Sequence, residues 1–416
     1  MAAGNSDDRH WLAKKHIIVA GGGIAGLAFV RYLDRTWPVD IERPRVTMYE
    51  KREQKVSPER EGYSMSIRSD PLSGGMQALQ KLCLLNETMA ASITGQHGGR
   101  GKMNLWDVNW QPILTFKQPA KPPDGLPANA IRIARYVLRQ HLVDGLLESC
   151  DAHWNVSCES AGQLDDGRIR VGLSDGSTTE CDFLVAADGA NSKIRASFRP
   201  DDTLQYAGAV SITGNAKFAD GLPDIIKEDH GLVLGGNGSS LFVSPIDHQN
   251  AVWSVSWLEN KPRQPIRGID AVKKQEEILS EAREHGKAFT EPFETLVAAT
   301  IPSTLQVFNT MDKQPIDHAE LACKSVAFVG DANHAVSPFA GNGANMALMD
   351  GVDLATALRE SHDAKTALVA FDKSSMIRSK RTITSSHWTI AIFHSAGWKL
   401  ALYKILLHFI NFLMSF

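Results

Sequence analysis

The chain has 416 residues, 43% hydrophobic and 22% charged, enough apolar material for a sizeable core and far from the composition of a collagen-like or disordered protein. Its 44 Lys and Arg nearly balance 47 Asp and Glu, for a formal charge of -3 with no long block of like charges, so no bulk field draws it onto nucleic acid. Five cysteines, odd in number and without C-x-x-C spacing, argue against a disulfide framework, a zinc ribbon or a redox dithiol.

The opening MAAGNSDDRHWLAKK carries early acids and no apolar stretch, so no secretory leader is expected and an intracellular, cytoplasmic address follows. His16–Ala20 (HIIVA) is a short apolar run that enters a glycine cluster. Ile24–Leu33 then has helical spacing, and Val46–Glu50 reads as a second strand. Together they read as a βαβ unit, with a polar, proline-containing loop before the second strand. Gly62–Ile67 is extended, Gly74–Leu84 helical, Met103–Phe116 a hairpin and Gln118–Pro127 a Pro-rich loop.

Ala130–Ile133 is extended and Tyr136–Leu147 helical. Three or four short strands follow between His153 and Ala187, separated by DDG and SDG turns. Strand-like pieces dominate 205–260, which suggests a second, sheet-based domain. Val272–Glu284 reads as a charged helix, Ser325–Gly330 as a buried strand and Asn345–Glu360 as a strong helix. No internal repeat is evident.

Gly21, Gly23 and Gly26 satisfy G-x-G-x-x-G between a strand and a helix, the context that gives the motif its meaning. Gly21 permits the tight turn, Gly23 lets a pyrophosphate approach the backbone, and Gly26 lets the helix lie close on the sheet. Exposed N–H groups and the helix dipole then face the anion. Glu50 ends the second strand 24 positions after Gly26, where an acid can hold an adenosine ribose and repel a 2′-phosphate. The site suits FAD or NAD.

Two later segments choose between them. Cys181–Arg195 (CDFLVAADGANSKIR) and Gly330–Asn345 (GDANHAVSPFAGNGAN), taken with the glycine turn, resemble the three motifs of the FAD-dependent aromatic hydroxylases. These are the single-component flavoprotein monooxygenases that include p-hydroxybenzoate, salicylate and tetracycline-inactivating enzymes. Apart from the resemblance, Asp331 is an acceptor suited to polyol hydroxyls. The Pro338–Gly343 turn can face a planar ring with its N–H groups, and the helix behind it favours an anionic reduced ring by roughly 0.3–2 kcal/mol.

The resemblance implies an α/β fold: a glutathione-reductase-type, Rossmann-like FAD-binding domain with an inserted mixed-sheet substrate domain and a C-terminal helix. The boundaries expected are 14–200 for the FAD-binding domain, with a substrate-domain insertion around 62–130, then 201–320 for the substrate domain. Residues 321–375 would complete the FAD-binding domain, and 376–416 form a helical tail. By resemblance, Asp188 belongs to the FAD and NAD(P)H motif, Asp331 meets the ribityl chain, and Gly343 and Ala344 face the isoalloxazine. Arg135, opening an R-x-x-L helix, contacts FAD, and Gly62 lies in a loop near the flavin. Arg139, one turn after Arg135, is expected to face solvent.

The implied reaction consumes NAD(P)H and O₂ and inserts one oxygen into a hydrophobic, aromatic or polycyclic small molecule through a flavin hydroperoxide, in secondary metabolism. Hydroxylation, epoxidation and Baeyer–Villiger insertion stay open, as do a flavin reductase or dehydrogenase and a non-catalytic FAD-binding partner on the same scaffold. No catalytic side chain is assigned and no metal is expected. Arg68 could reach the substrate side or form a structural ion pair. Arg195 could contact nicotinamide phosphate or substrate, and His334 suits a hydrogen bond in the turn.

Trp253 and Trp257 alternate onto one strand face, which reads first as core and second as an aromatic wall for a flat substrate. The W-x-W-x-I-P pattern of flavin halogenases is absent. Trp398–Phe416 is mostly apolar with Lys404, His408, Asn411 and Ser415 in one polar stripe. It must be covered by the membrane interface, by the protein itself or, least favoured because of its internal charges, by spanning a bilayer.

Overall fold

The computed structural model describes residues 10–55, 62–93, 102–116, 121–146 and 150–413, the last four of these without their side chains. Parts of three expected elements lie outside it: the start of the Gln118–Pro127 loop, Leu147 and the last three residues of the tail.

Five parallel strands form the first sheet, in the order Val326–Phe328, Phe183–Ala186, His16–Ala20, Arg45–Glu50 and Cys150–Trp154. Both faces are covered, which explains why HIIVA is continuously apolar instead of alternating. Ile17 and Val19 pack with the helix Ile24–Thr36, and Ile18 and Ala20 with Ile169, Val171 and Leu173 of a three-stranded antiparallel sheet. That sheet is Cys158–Gln163, Ile169–Leu173 and Thr178–Cys181. The helix buries Leu27, Phe29, Val30 and Leu33 and ends as Trp37 turns extended before Pro38. The helix Gly343–Glu360 lies beside it.

A seven-stranded sheet runs Gln306–Asp312, Gln205–Lys217, Asn250–Leu258, Ser239–Pro245, His230–Leu234, Met103–Trp106 and Pro112–Phe116. All neighbours are antiparallel except His230–Leu234 with Met103–Trp106. Strand alternation sends Trp253, Val255 and Trp257 to a core closed by the helices Gln275–Gly286 and Phe293–Ala298. Ser254 and Ser256 take the opposite face. The charged helix expected over Val272–Glu284 is divided into Ile269–Lys273 and Gln275–Gly286, because Lys274 leaves helical geometry. The five cysteines are unpaired.

A two-stranded ribbon, Ser64–Arg68 with Ala130–Ala134, links the two sheets. The helix Ala364–Phe393 continues across the boundary expected at 375–376 and buries Ser379, Thr382, Ile383, Ser386 and Ile390. After it, Gly397–Leu413 packs Leu400 and Leu407 against Leu105, Ile113, Leu114, Leu232 and Leu234. Trp398, Leu402, Ile405, Leu406 and Phe409 face outward. Among the described residues no helix is long and apolar enough to cross a membrane.

Candidate active site

The glycine turn is held from three sides. Gly21 has φ 109°, and a Cβ there would stand 2.4 Å from the Ala187 carbonyl oxygen, so the Asp-Gly segment lies directly against it. A Cβ on Gly26 would meet the Gly21 oxygen at 2.1 Å. The Gly22 N–H donates to Glu50 Oε2 at 2.7 Å, and the Arg52 N–H to Oε1 at 2.9 Å. Each carboxylate oxygen retains a second lone pair. Around Gly23 a Cβ would meet nothing within 4 Å, so this side of the turn is open.

Arg139 overturns its sequence reading. It is 2% exposed, lies over the Trp154 ring and donates from Nε to the Gly22 carbonyl at 3.0 Å. The spacing from Arg135 gave its distance along the helix but not which face the helix would bury.

In the Asp-Gly segment, Asp188 Oδ2 accepts the Ile194 N–H at 3.2 Å, while buried Oδ1 has no partner among the described residues. Burial pushes this carboxyl up, against its hydrogen bonds to Ser192 and Ile194. Arg195 donates to the carbonyls of Asp202, Ala332 and Ala190 at 2.9, 2.9 and 2.6 Å. Its guanidinium ties the second motif to the third and does not reach toward a ligand.

The third motif leaves the strand Val326–Phe328 through Gly330, and Asp331 opens the short helix Asp331–His334. Asp331 is solvent-accessible although protein surrounds it: burial pushes its carboxyl up, with His334 and Arg135 drawing it back down. Arg135 and Asp331, far apart in sequence, therefore sit within electrostatic reach. Arg135 starts the helix Arg135–Asp144, and its N–H donates to the Tyr63 carbonyl. Behind Asp331, His334 Nε2 meets Asp350 Oδ2 at 2.5 Å, and the same carboxylate receives the Gly330 N–H, Ser375 and Arg378. Burial alone would raise Asp350, but His334 and Arg378 hold its carboxyl well below the ordinary range and His334 is raised in return.

Gly343 and Ala344 begin the helix Gly343–Glu360. The next residue, Asn345, receives the Arg68 N–H at 2.8 Å and donates to the Ser66 carbonyl at 2.9 Å, pinning that helix start to the ribbon. The Gly62 carbonyl accepts from Asn215 of the seven-stranded sheet at 2.8 Å. Arg68 itself pairs with Asp70 and Ser73, a structural arrangement. Asn342 donates to Thr382, and its buried Oδ1 has no partner among the described residues.

Two further groups tie the ribbon and this turn to the seven-stranded sheet. Buried Arg132 donates to Ser66 Oγ, Ser64 Oγ and Ser244 Oγ at 2.8, 2.6 and 2.7 Å, and burial pushes it down to about 9. His394 stands edge-on to Phe339, with ring centroids 5.2 Å apart. Its Nδ1 lies 2.8 Å from the Ile390 carbonyl, which can only accept, so Nδ1 carries the proton and Nε2 accepts from Ser256 at 2.9 Å. A charged residue inside an apolar strand could have flagged Arg132; nothing local marks His394. Trp253 is enclosed in the helix-covered core on the other face of the sheet, whereas Trp257 lines a cavity with His394, Ser239 and His285.

A profile of the family described as FAD binding domain matches residues 134–373. Monooxygenase cfoF of Aspergillus candidus is 40% identical over 394 residues, spanning 93% of each chain. The chain belongs to the FAD-dependent monooxygenases. FAD-dependent monooxygenase aptC of Emericella nidulans is 24% identical over 86% of this chain and 90% of its own. Klebsiella pneumoniae HpxO, complexed with FAD and uric acid, shares the fold at TM-score 0.76 and 18% identity, covering 97% of this chain and 95% of its own. Tetracycline destructase Tet(51) does so at TM-score 0.64 and 17% identity, over 96% and 97%.

The cleft of this monooxygenase fits the cofactor that its family uses. It offers an open glycine turn, an accessible carboxylate at Asp331, and buried Asp188 and Asn342 oxygens without partners among the described residues. Its reaction takes a small-molecule substrate, O₂ and reduced nicotinamide.

Proposed function

We propose that this monooxygenase inserts one oxygen atom into a hydrophobic, aromatic or polycyclic small molecule, by hydroxylation or epoxidation. We place it inside the cell, in secondary metabolism, with residues 398–416 touching a membrane surface. The observation that supports an apolar substrate is the trio of half-buried rings Phe242, Phe339 and Phe393, which sit beside the leucines covered by the Gly397–Leu413 helix. Segments 14–200 and 321–375 form the FAD-binding part in this reading. Residues 201–320 form the substrate part with the 62–130 insertion, and the tail, 376–416, begins inside the helix Ala364–Phe393, which it shares with the FAD-binding part.

When bound, FAD supplies reduction by nicotinamide and activation of O₂. The open backbone at Gly23 and the N–H groups that begin the helix after it hold the pyrophosphate, with Gly21 making the turn and Gly26 its close packing. The free lone pairs of Glu50 take ribose hydroxyls, and Asp331 takes the ribityl chain. Arg135 offsets the charge of Asp331 and of the phosphates, while Asp188 accepts from the cofactor at its unpartnered oxygen. Gly343 and Ala344 present main-chain N–H groups to the ring, and Gly62 bounds it from the other side. Phe242, Phe339 and Phe393 keep water from the reacting centre.

The test is substrate-stimulated NADH or NADPH oxidation by the yellow holoenzyme, with product and hydrogen peroxide both quantified. Product should account for most of the nicotinamide consumed, and Asp331→Ala should weaken FAD binding about 10- to 100-fold. Nicotinamide oxidation that yields only peroxide with every apolar aromatic tried would sink the substrate assignment.

A further inference from the structure

We propose that the outer face of the Gly397–Leu413 helix docks in the plane of an anionic bilayer. This rests on the membrane contact proposed above and deepens it by naming the face, the orientation and the lipid charge.

With about 100° between successive residues, Trp398, Leu402, Ile405, Leu406 and Phe409 fall within one arc of the helix, and each is between 52% and 70% exposed. Leu400, on the opposite side, is 7% exposed and packs with Leu232 and Leu234. The arc has a polar border on each side, Lys399 along one and His408 along the other, while half-buried Lys404 lies toward the protein-facing side near Leu400. An apolar stripe with polar borders, one of them a lysine, held down on its back by protein, is the geometry of a helix that lies in the headgroup plane. The Lys399 ammonium stands 5.9 Å from the centroid of the Trp398 ring, an aromatic suited to that depth.

Charge selects the lipid. The Gly397–Leu413 helix carries Lys399 and Lys404 and no Asp or Glu, and no acid follows Asp372, although the overall formal charge is -3; of the earlier basic residues, Arg378 is spent on Asp350 and Asp353. This acid-free end complements an anionic leaflet. A second copy pairing along the same stripe is the competing occupant, and the vesicle experiment separates the two. Spanning is excluded for the described helix by its length and hydropathy. The back of the helix shares one apolar cluster with Phe393 and Phe339, so the docked bilayer lies just across the helix from the space beside the Gly343 turn.

The experiment is co-sedimentation of full-length, FAD-loaded enzyme with vesicles of phosphatidylcholine alone or containing phosphatidylserine. The bound fraction should be roughly tenfold higher on the anionic vesicles and fall with added salt. Ile405→Ser with Phe409→Ser should abolish binding while FAD content and turnover persist, and the exposed single variant Trp398→Ser should reduce it. Equal binding to both vesicle types overturns the lipid charge. No binding to either, by enzyme that retains FAD and turns over, overturns docking and leaves the oxygenase reading intact. A dimer that the double variant dissociates, without vesicle binding, assigns the face to a second copy and overturns the proposal. Vesicle binding by a chain that never takes up FAD would leave docking standing and sink the function proposed above.

Discussion

Arg139 donates from Nε to the carbonyl oxygen of Gly22 at 3.0 Å, placing a buried cation beneath the same turn whose N–H is held by Glu50. The turn is clamped at two neighbouring polar atoms, by an acid from a strand and a base from a helix.

Replacing Arg139 with Leu should therefore release the turn. FAD affinity is expected to fall at least tenfold, and the unfolding free energy by about 2–4 kcal/mol, because a buried charged hydrogen bond is lost. FAD titration and urea unfolding measure the two effects; unchanged affinity would show that Glu50 alone suffices.

Gly26→Ala probes the packing of the same turn. Its Cβ would collide with the Gly21 oxygen at 2.1 Å and press on the Ala187 side chain at 3.2 Å. A loss of about 1–3 kcal/mol and an enzyme purified without colour are expected, read by thermal unfolding and the flavin absorbance. Full flavin occupancy in the variant would mean that the helix can shift at no cost to the cleft.

His394 gives a pH signature. Burial pushes its imidazole down to about 4, below an unfolded value of about 6.5. Between these values the unfolded chain binds the extra proton, so stability rises with pH across this window and is lost as pH falls from about 6.5 through about 4. His394→Gln should shrink the drop in unfolding free energy between about pH 7 and pH 4.5 by about 2–3 kcal/mol. Identical drops in both proteins, by urea unfolding, would refute the assignment.

Trp253→Phe separates core from substrate wall. The indole N–H donates to Thr300 Oγ1 at 3.0 Å within the helix-covered face. The variant should lose about 1–2 kcal/mol of stability while substrate KM stays within about twofold. A large KM increase at unchanged stability would put the indole against substrate after all.

What could be read from the sequence was local in the chain. The glycine turn, Glu50 and the hairpin over Met103–Phe116 depend on residues within a few dozen positions of one another, and their patterns are fixed by strand and helix periods. The parallel pairing of Met103–Trp106 with His230–Leu234 was not legible, because nothing near either strand specifies so distant a neighbour. The same holds for Asn345 on the ribbon, Asn215 on Gly62 and His394 on Ser256. Arg139 and Arg195 show the other limit. Their types suggested solvent or ligand, yet main-chain carbonyls claimed them once the fold brought those oxygens near.

The strand Val326–Phe328 pairs with Phe183–Ala186 at one edge of the parallel sheet, and Arg195 reaches across to the Ala332 carbonyl. A ribosome must therefore release most of the polypeptide before its earliest-made turn acquires the opposite half of its cleft. Until then a nascent chain has the glycine turn without the Asp331–Gly343 segment, so the two halves of the cleft first meet when synthesis is nearly complete.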